Sequence, residues 1–217
     1  MEAQEEVKSQ TIIEKIEFKP LFLAVCGLPF IYTGHHEWLV KNALERKIAG
    51  YFSLGLGRYG SSVSIARQRN QLITEGLKTD ATHFVFVDWD LIPPEDAINR
   101  LGSHDKDVVS GVYYSKDDFS QPLIAKGPKS YQGKGLEKVD APAIGFSLIK
   151  REVYENLKPP WFRTDPLHQT EEILFFQDCS RAKFELWTDF DLIAEHLGIF
   201  SNRDVKLKKN KEFINTL

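Results

Sequence analysis

The apolar run Phe84-Val85-Phe86-Val87, ending in Asp88-Trp89-Asp90, constrains the fold of this chain more than any other segment. Side chains alternate faces along a strand, so a strand that is apolar at every position is covered on both faces. That places it in an α/β layer architecture, with helices above and below a sheet. The same alternation sends residues 88 and 90 to one side and Trp89 to the other, so two carboxylates share the strand's tip. Neighbouring anions repel and resist desolvation unless a cation lies between them, and a hard divalent ion with positions left for a polyphosphate suits two oxygen donors. Ligands of open α/β sheets bind beyond the carboxyl ends of the strands. Pro94 as a first helical residue, with Glu95 and Asp96 in the first turn, marks the handover to a helix.

The rest of the chain alternates in the same way. Residues 20–26 read as a buried strand, followed by a helix from about Glu37 to Lys47 that Gly50 stops. A short strand at 51–54 leads through a polar loop, Gly55 to Ser62, into a helix reaching about Lys78. After the aspartates come a helix at 94–102 and a strand at 107–113. A hairpin region follows from Gln121 to Val139, turning at Gly127-Pro128-Lys129-Ser130 or at Gly133-Lys134-Gly135. A strand at 144–150, helices at 151–157 and 170–182, and one or two strands between 184 and 194 close the pattern. This order predicts a nucleotide-binding α/β half joined to an acceptor-binding half. With 217 residues and 42% hydrophobic content the chain can bury one full core. We divide it into an N-terminal extension (1–19), a domain (20–198) and a basic tail (199–217).

Charge and cysteine content exclude some classes of function. A net charge of -3 argues against a nucleic-acid partner held by phosphate neutralisation. Cys26 and Cys179 form neither a disulfide framework nor a metal-ligand spacing and read as small buried hydrophobes of a reducing compartment. With no signal-like or membrane-length apolar run, a soluble cytoplasmic protein is expected. Gly55-x-Gly57-x-x-Gly60 matches a dinucleotide fingerprint only loosely and lacks the acidic residue about twenty positions on, which disfavours a Rossmann oxidoreductase.

Three further constellations carry chemistry. On the helix following the glycine loop, Ile65, Leu72, Ile73, Gly76 and Leu77 fall on the packed side, and Arg67, Asn70 and Gln71 on a neighbouring face. Arg67 and Arg69 are placed to reach a diphosphate there, aided by the helix's own N-terminal N–H groups. Glu171 and Glu172 open a later helix near Gln169 or Thr170, where acids are favoured by the helix field and a catalytic carboxylate is equally at home. Trp161 and Phe162, in the loop before it, offer faces for stacking on a sugar ring or for loop packing. His196 is chemically suited to complete an Asp-containing Mn²⁺ site, whereas His35 and His36 lack a His-Glu-x-x-His spacing and read as loop and cap residues.

Taken together, these segments resemble the GT-A glycosyltransferases, in particular the short family-2-like proteins of phages, viruses and microbes. The resemblance runs in order through 64–70, 82–90 with 93–96, 105–111, 139–149, Glu171-Glu172 with Phe175, and 196–198, covering roughly residues 20 to 198. It implies a Rossmann-like mixed central sheet flanked by helices, a nucleotide-sugar donor, Mn²⁺ or Mg²⁺, and transfer of the sugar to a hydroxyl of a glycan, glycoprotein or glycolipid. By the same resemblance Asp90 ligates the metal, Asp88 faces the ribose or the metal shell, and His196 adds a ligand. Arg67, Arg69 and Asn70 line the donor cleft, Val25 and Gly27 lie near the nucleotide base, and Asp140 and Gly145 lie beneath donor sugar and acceptor. Where the family usually has Glu-Asp this chain has Glu171-Glu172, so the base is either of the two, with Glu172 favoured.

Two other classes compete. A sugar nucleotidyltransferase calls for glycine and basic residues directly after the first strand, and Gly27-Leu28-Pro29-Phe30 has no basic group. A non-catalytic sugar- or nucleotide-binding module would share the fold and hydrolyse no donor. The tail bearing Arg203, Lys206, Lys208, Lys209 and Lys211 suits a solvated end, a peripheral contact with an anionic membrane, or closure over the donor.

Overall fold

The computed structural model describes residues 21–27, 33–46, 49–54, 65–116, 120–127, 129–164 and 170–197. The N-terminal extension, the glycine loop 55–62 and the basic tail lie outside the described residues. The strands are β1 (Leu21–Gly27), β2 (Ala49–Leu54), β3 (His83–Val87), β4 (Leu91–Ile92), β5 (Val108–Val112), β6 (Ala125–Lys126), β7 (Lys129–Ser130), β8 (Leu136–Lys138), β9 (Phe146–Lys150), β10 (Leu186–Ile193) and β11 (Glu195–His196). The helices are α1 (Thr33–Arg46), α2 (Ile65–Gly76), α3 (Ala97–Ser103), α4 (Arg151–Asn156) and α5 (Glu171–Arg181).

A seven-stranded sheet in the order β2-β1-β3-β9-β5-β10-β8 forms the centre. β1 runs parallel to β2 and β3, and β10 parallel to β5, while β9 lies antiparallel between β3 and β5. This is a mixed α/β sheet flanked by helices. Its inner strands are buried on both faces, as the apolar runs require. Leu21, Leu23, Val25, Val85 and Val87 join Trp38 and Leu39 of α1 and Ile98 and Leu101 of α3 on one side. Phe22, Ala24, Phe84 and Phe86 join Leu72 and Ile73 of α2, Val153 and Tyr154 of α4, and Phe175 and Phe176 of α5 on the other. Since β9 opposes both neighbours, the C-terminal ends of β3, β5 and β10 and the N-terminal end of β9 meet at one edge of the sheet.

Several boundaries differ from the sequence reading. α1 begins at Thr33, so His35 and His36 are helical, and His35 is buried with Nδ1 donating to the Leu91 carbonyl (2.5 Å). Gly50 lies within β2. α3 begins at Ala97, with Pro94 to Asp96 in the turn before it. The hairpin closes as β6 with β7, turning after Gly127, whereas β8 leaves it to pair with β10 at the sheet's edge. Ile65 is 51% exposed and off the packed side of α2.

The junction of β5 with its neighbours is tight at Gly111. A Cβ there would lie 2.1 Å from the Phe146 ring and 2.6 Å from the Leu192 carbonyl oxygen. The carbonyl belongs to a paired strand and gives way only if the sheet opens. Gly111→Ala is therefore expected to lower stability by about 1–3 kcal/mol, read as a fall in the urea midpoint at unchanged m-value.

Candidate functional site

The edge where β3, β5, β9 and β10 meet collects most of the charged residues singled out in the sequence. β3 ends at Val87 because its pairing with β9 runs out: Val87 faces Phe146, and the Asp88 N–H donates to the Gly145 carbonyl (2.8 Å). Trp89 and Asp90 then form a turn closed by Leu91 N–H donating to the Asp88 carbonyl (3.0 Å). The two aspartates consequently do not follow strand alternation, and each takes different partners.

Asp88 belongs to Arg69. The guanidinium, only 1% exposed, donates from one nitrogen to both Asp88 oxygens (3.2 and 3.4 Å) and from the other to Oε1 of Glu171 and of Glu172 (3.0 Å each). One cation in α2 thus gathers three carboxylates, from the tip of β3 and the first turn of α5. Its carbon lies 5.6 Å from the centre of the Phe162 ring, which stacks on Phe175 (4.6 Å, 28°). Arg69, expected to reach a diphosphate, is directed inward at these three acids and is almost wholly buried. Burial raises the Asp88 carboxyl above its ordinary range despite Arg69. Burial raises that of Glu172 likewise, against Arg69 and with help from the charges of Asp88 and Glu171.

Gly145 makes room for this arrangement. A Cβ there would stand 2.2 Å from Asp88 Oδ2 and 2.8 Å from the Tyr113 hydroxyl oxygen. The Tyr113 oxygen accepts the Gly145 N–H (3.3 Å), and burial together with the charges of Glu172 and Asp88 pushes the phenol well above its ordinary range. Tyr113, immediately after β5, is a site residue that the sequence reading missed.

Asp90 faces a second group. The Lys116 ammonium pairs with Asp90 Oδ2, and His196 Nε2 lies 3.7 Å from the same oxygen. Burial alone would raise the Asp90 carboxyl, but His196 and Lys116 outweigh it and hold the group below its ordinary range. His196, in β11, donates Nδ1–H to the Tyr114 carbonyl (2.6 Å), which turns Nε2 towards Asp90. β11 in turn pairs with β4, directly after the aspartate turn. A carboxylate and an imidazole oriented by a backbone carbonyl are suitable ligands for Mn²⁺ or Mg²⁺. Among the described residues no group of three or more His, Cys, Asp or Glu is placed to hold a metal ion.

The remaining candidates have mainly structural partners. Asn70 clamps the loop before α5, donating to the Phe162 carbonyl (2.6 Å) and accepting the Phe162 N–H (3.0 Å). Trp161 does not offer a face to a sugar: it is 7% exposed, packs against Tyr154, and donates its indole N–H to the Tyr154 carbonyl (2.9 Å). Asp140 is exposed and accepts the Gly127 N–H (2.6 Å). Val25 is buried in the sheet, Gly27 ends β1, and Arg67 is exposed near the start of α2. Thr170 is the N-cap of α5 without a side-chain cap bond.

The mixed sheet with its flanking helices gives this chain a glycosyltransferase-like fold. Among solved structures it is similar to A197 from STIV, with a TM-score of 0.65 and 22% identity over 83% of this chain and 86% of that one. A second similar structure is a glycosyltransferase involved in the glycosylation of the major capsid of PBCV-1, with a TM-score of 0.42 and 12% identity over 79% and 93% of the two chains. No protein-family model and no curated protein sequence matches the chain. Among the described residues no helix is long and apolar enough to cross a membrane.

Proposed function

We propose that this chain transfers a sugar from a nucleoside-diphosphate donor to an acceptor hydroxyl, with inversion at the anomeric carbon. The observation carrying this reading is that one edge of the sheet holds two carboxyls in opposite environments: Glu172, at the Arg69 cluster and raised by burial, and Asp90, paired with Lys116 beside His196 and held low by them. Environments that push titratable groups in opposite directions suit them to different tasks. Glu172 takes the proton of the attacking hydroxyl as the oxygen–carbon bond forms, and the electron pair of the breaking bond leaves with the diphosphate. Of the two glutamates, Glu172 is the more open, its side chain 32% exposed against 15% for Glu171. Arg69 and Tyr113 hold and shape the acidic cluster around it. Asp90 and His196 would hold Mn²⁺ or Mg²⁺, a Lewis acid that neutralises the departing diphosphate when bound.

A panel of nucleoside-diphosphate sugars, each with and without Mn²⁺, tests the reading by thermal shift. A donor at a hundred times its Kd is expected to stabilise the fold by about 2.7 kcal/mol. The stabilising donor should also release nucleoside diphosphate in the presence of an acceptor. A panel in which no donor moves the melting temperature contradicts the proposal.

A further inference from the structure

We propose that Lys116 is the resident counter-cation of Asp90, competing with a divalent ion for that carboxylate until a diphosphate arrives to take the lysine over. This rests on the reading above, in which Asp90 and His196 receive the ion. The geometry is local and specific. Lys116 Nζ and His196 Nε2 both approach Asp90 Oδ2, so the carboxylate oxygen beside the imidazole already has an ammonium as its counter-charge.

The lysine is seated there by its neighbours. The Tyr114 carbonyl accepts His196 Nδ1–H, Ser115 N–H donates to the Gln121 carbonyl (2.9 Å), and the Lys116 ammonium lies 6.0 Å from the centre of the Trp89 ring. One short segment after β5 thus orients the imidazole and delivers the ammonium to the same oxygen. Asp90 is only 8% exposed, so its charge is poorly screened and strongly favours one counter-cation at a time. An incoming ion must displace the ammonium or share the oxygen with it at a repulsive distance. The lysine side chain is 35% exposed, with room to swing away. A donor diphosphate offers the displaced ammonium new anionic partners, so ion and nucleotide bind together better than either alone.

Mn²⁺ binding to the full chain, followed by the loss of the free-ion EPR signal with Mn²⁺ as the only added ligand, tests this without reference to turnover. Lys116→Met is expected to bind Mn²⁺ about tenfold more tightly than the wild type, and Lys116→Arg to remain close to it. Asp90→Asn added to Lys116→Met should remove the gain. Unchanged or weaker binding by Lys116→Met, with Asp90→Asn still lowering affinity, overturns the role of the lysine and leaves the metal reading standing. Absence of Mn²⁺ binding in both wild type and Lys116→Met overturns both. Donor binding by the wild type without metal that Lys116→Met loses would put the lysine in place of the ion and also overturn the competition.

Discussion

Arg69→Met is expected to lower stability by about 3–5 kcal/mol at pH 7, measured by urea denaturation, and to abolish transfer. The guanidinium is the shared cation of Asp88, Glu171 and Glu172 and is almost wholly buried. Removing it leaves three acids crowded without their counter-charge, and the loss reflects that uncompensated charge more than the intrinsic strength of the ion pairs. Arg69→Lys should recover only part, because a single ammonium lacks the planar fork that reaches β3 and α5 together. The pH dependence follows from the acids. Burial holds Glu172 and Asp88 above their ordinary range even with Arg69 present. A carboxyl whose folded pKa is raised contributes stability that is full below its unfolded pKa, about 4, and is lost as pH rises through the folded value. Without Arg69 those folded values climb further, so the deficit of Arg69→Met is expected to be smaller at pH 5 than at pH 7. An equal deficit at both would mean that no carboxyl of the cluster changes protonation between pH 5 and pH 7 on account of the substitution.

The layers of this fold were legible because strands apolar at every position leave little choice: Phe84 to Val87 and Leu21 to Val25 must be covered on both sides, and they are. The insertion of β9 between β3 and β5 was not, since local pattern carries no information about which distant strand fills a gap. The charged site divides in the same way. Asp88, Asp90, Glu171, Glu172 and His196 were found by residue type at element ends, and the fold brings them to one edge. Arg69 was assigned to phosphate because helical periodicity assigns a face but does not show what packs over it. Its acidic partners on α5 are 102 and 103 positions away. The partners of Trp161 and Asn70 were hidden for the same reason, being backbone carbonyls of the surrounding core. Lys116 carried no signal beyond following a strand that ends at the site. Its pairing with Asp90 changes the picture from an open anionic tip to a neutralised one.

Glu172→Gln is expected to lower the rate of sugar transfer by about 10²–10⁴-fold while leaving donor binding near the wild-type value. The amide keeps an oxygen that can accept from Arg69, so the cluster retains its link to α2 while the proton acceptor is lost. Glu171→Gln serves as the control, since the side chain of Glu171 is the less exposed of the two and is directed at the same guanidinium. In the wild type, a base with a raised pKa makes the rate climb with pH through an inflection above the ordinary glutamate value of about 4.3. Glu172→Gln should flatten that limb, whereas Glu171→Gln should keep the limb and move its inflection to lower pH, because the Glu171 charge helps to raise the Glu172 carboxyl. Should Glu171→Gln lose the limb and Glu172→Gln retain it, the roles are exchanged; should neither variant slow transfer, the proton of the acceptor goes to another group.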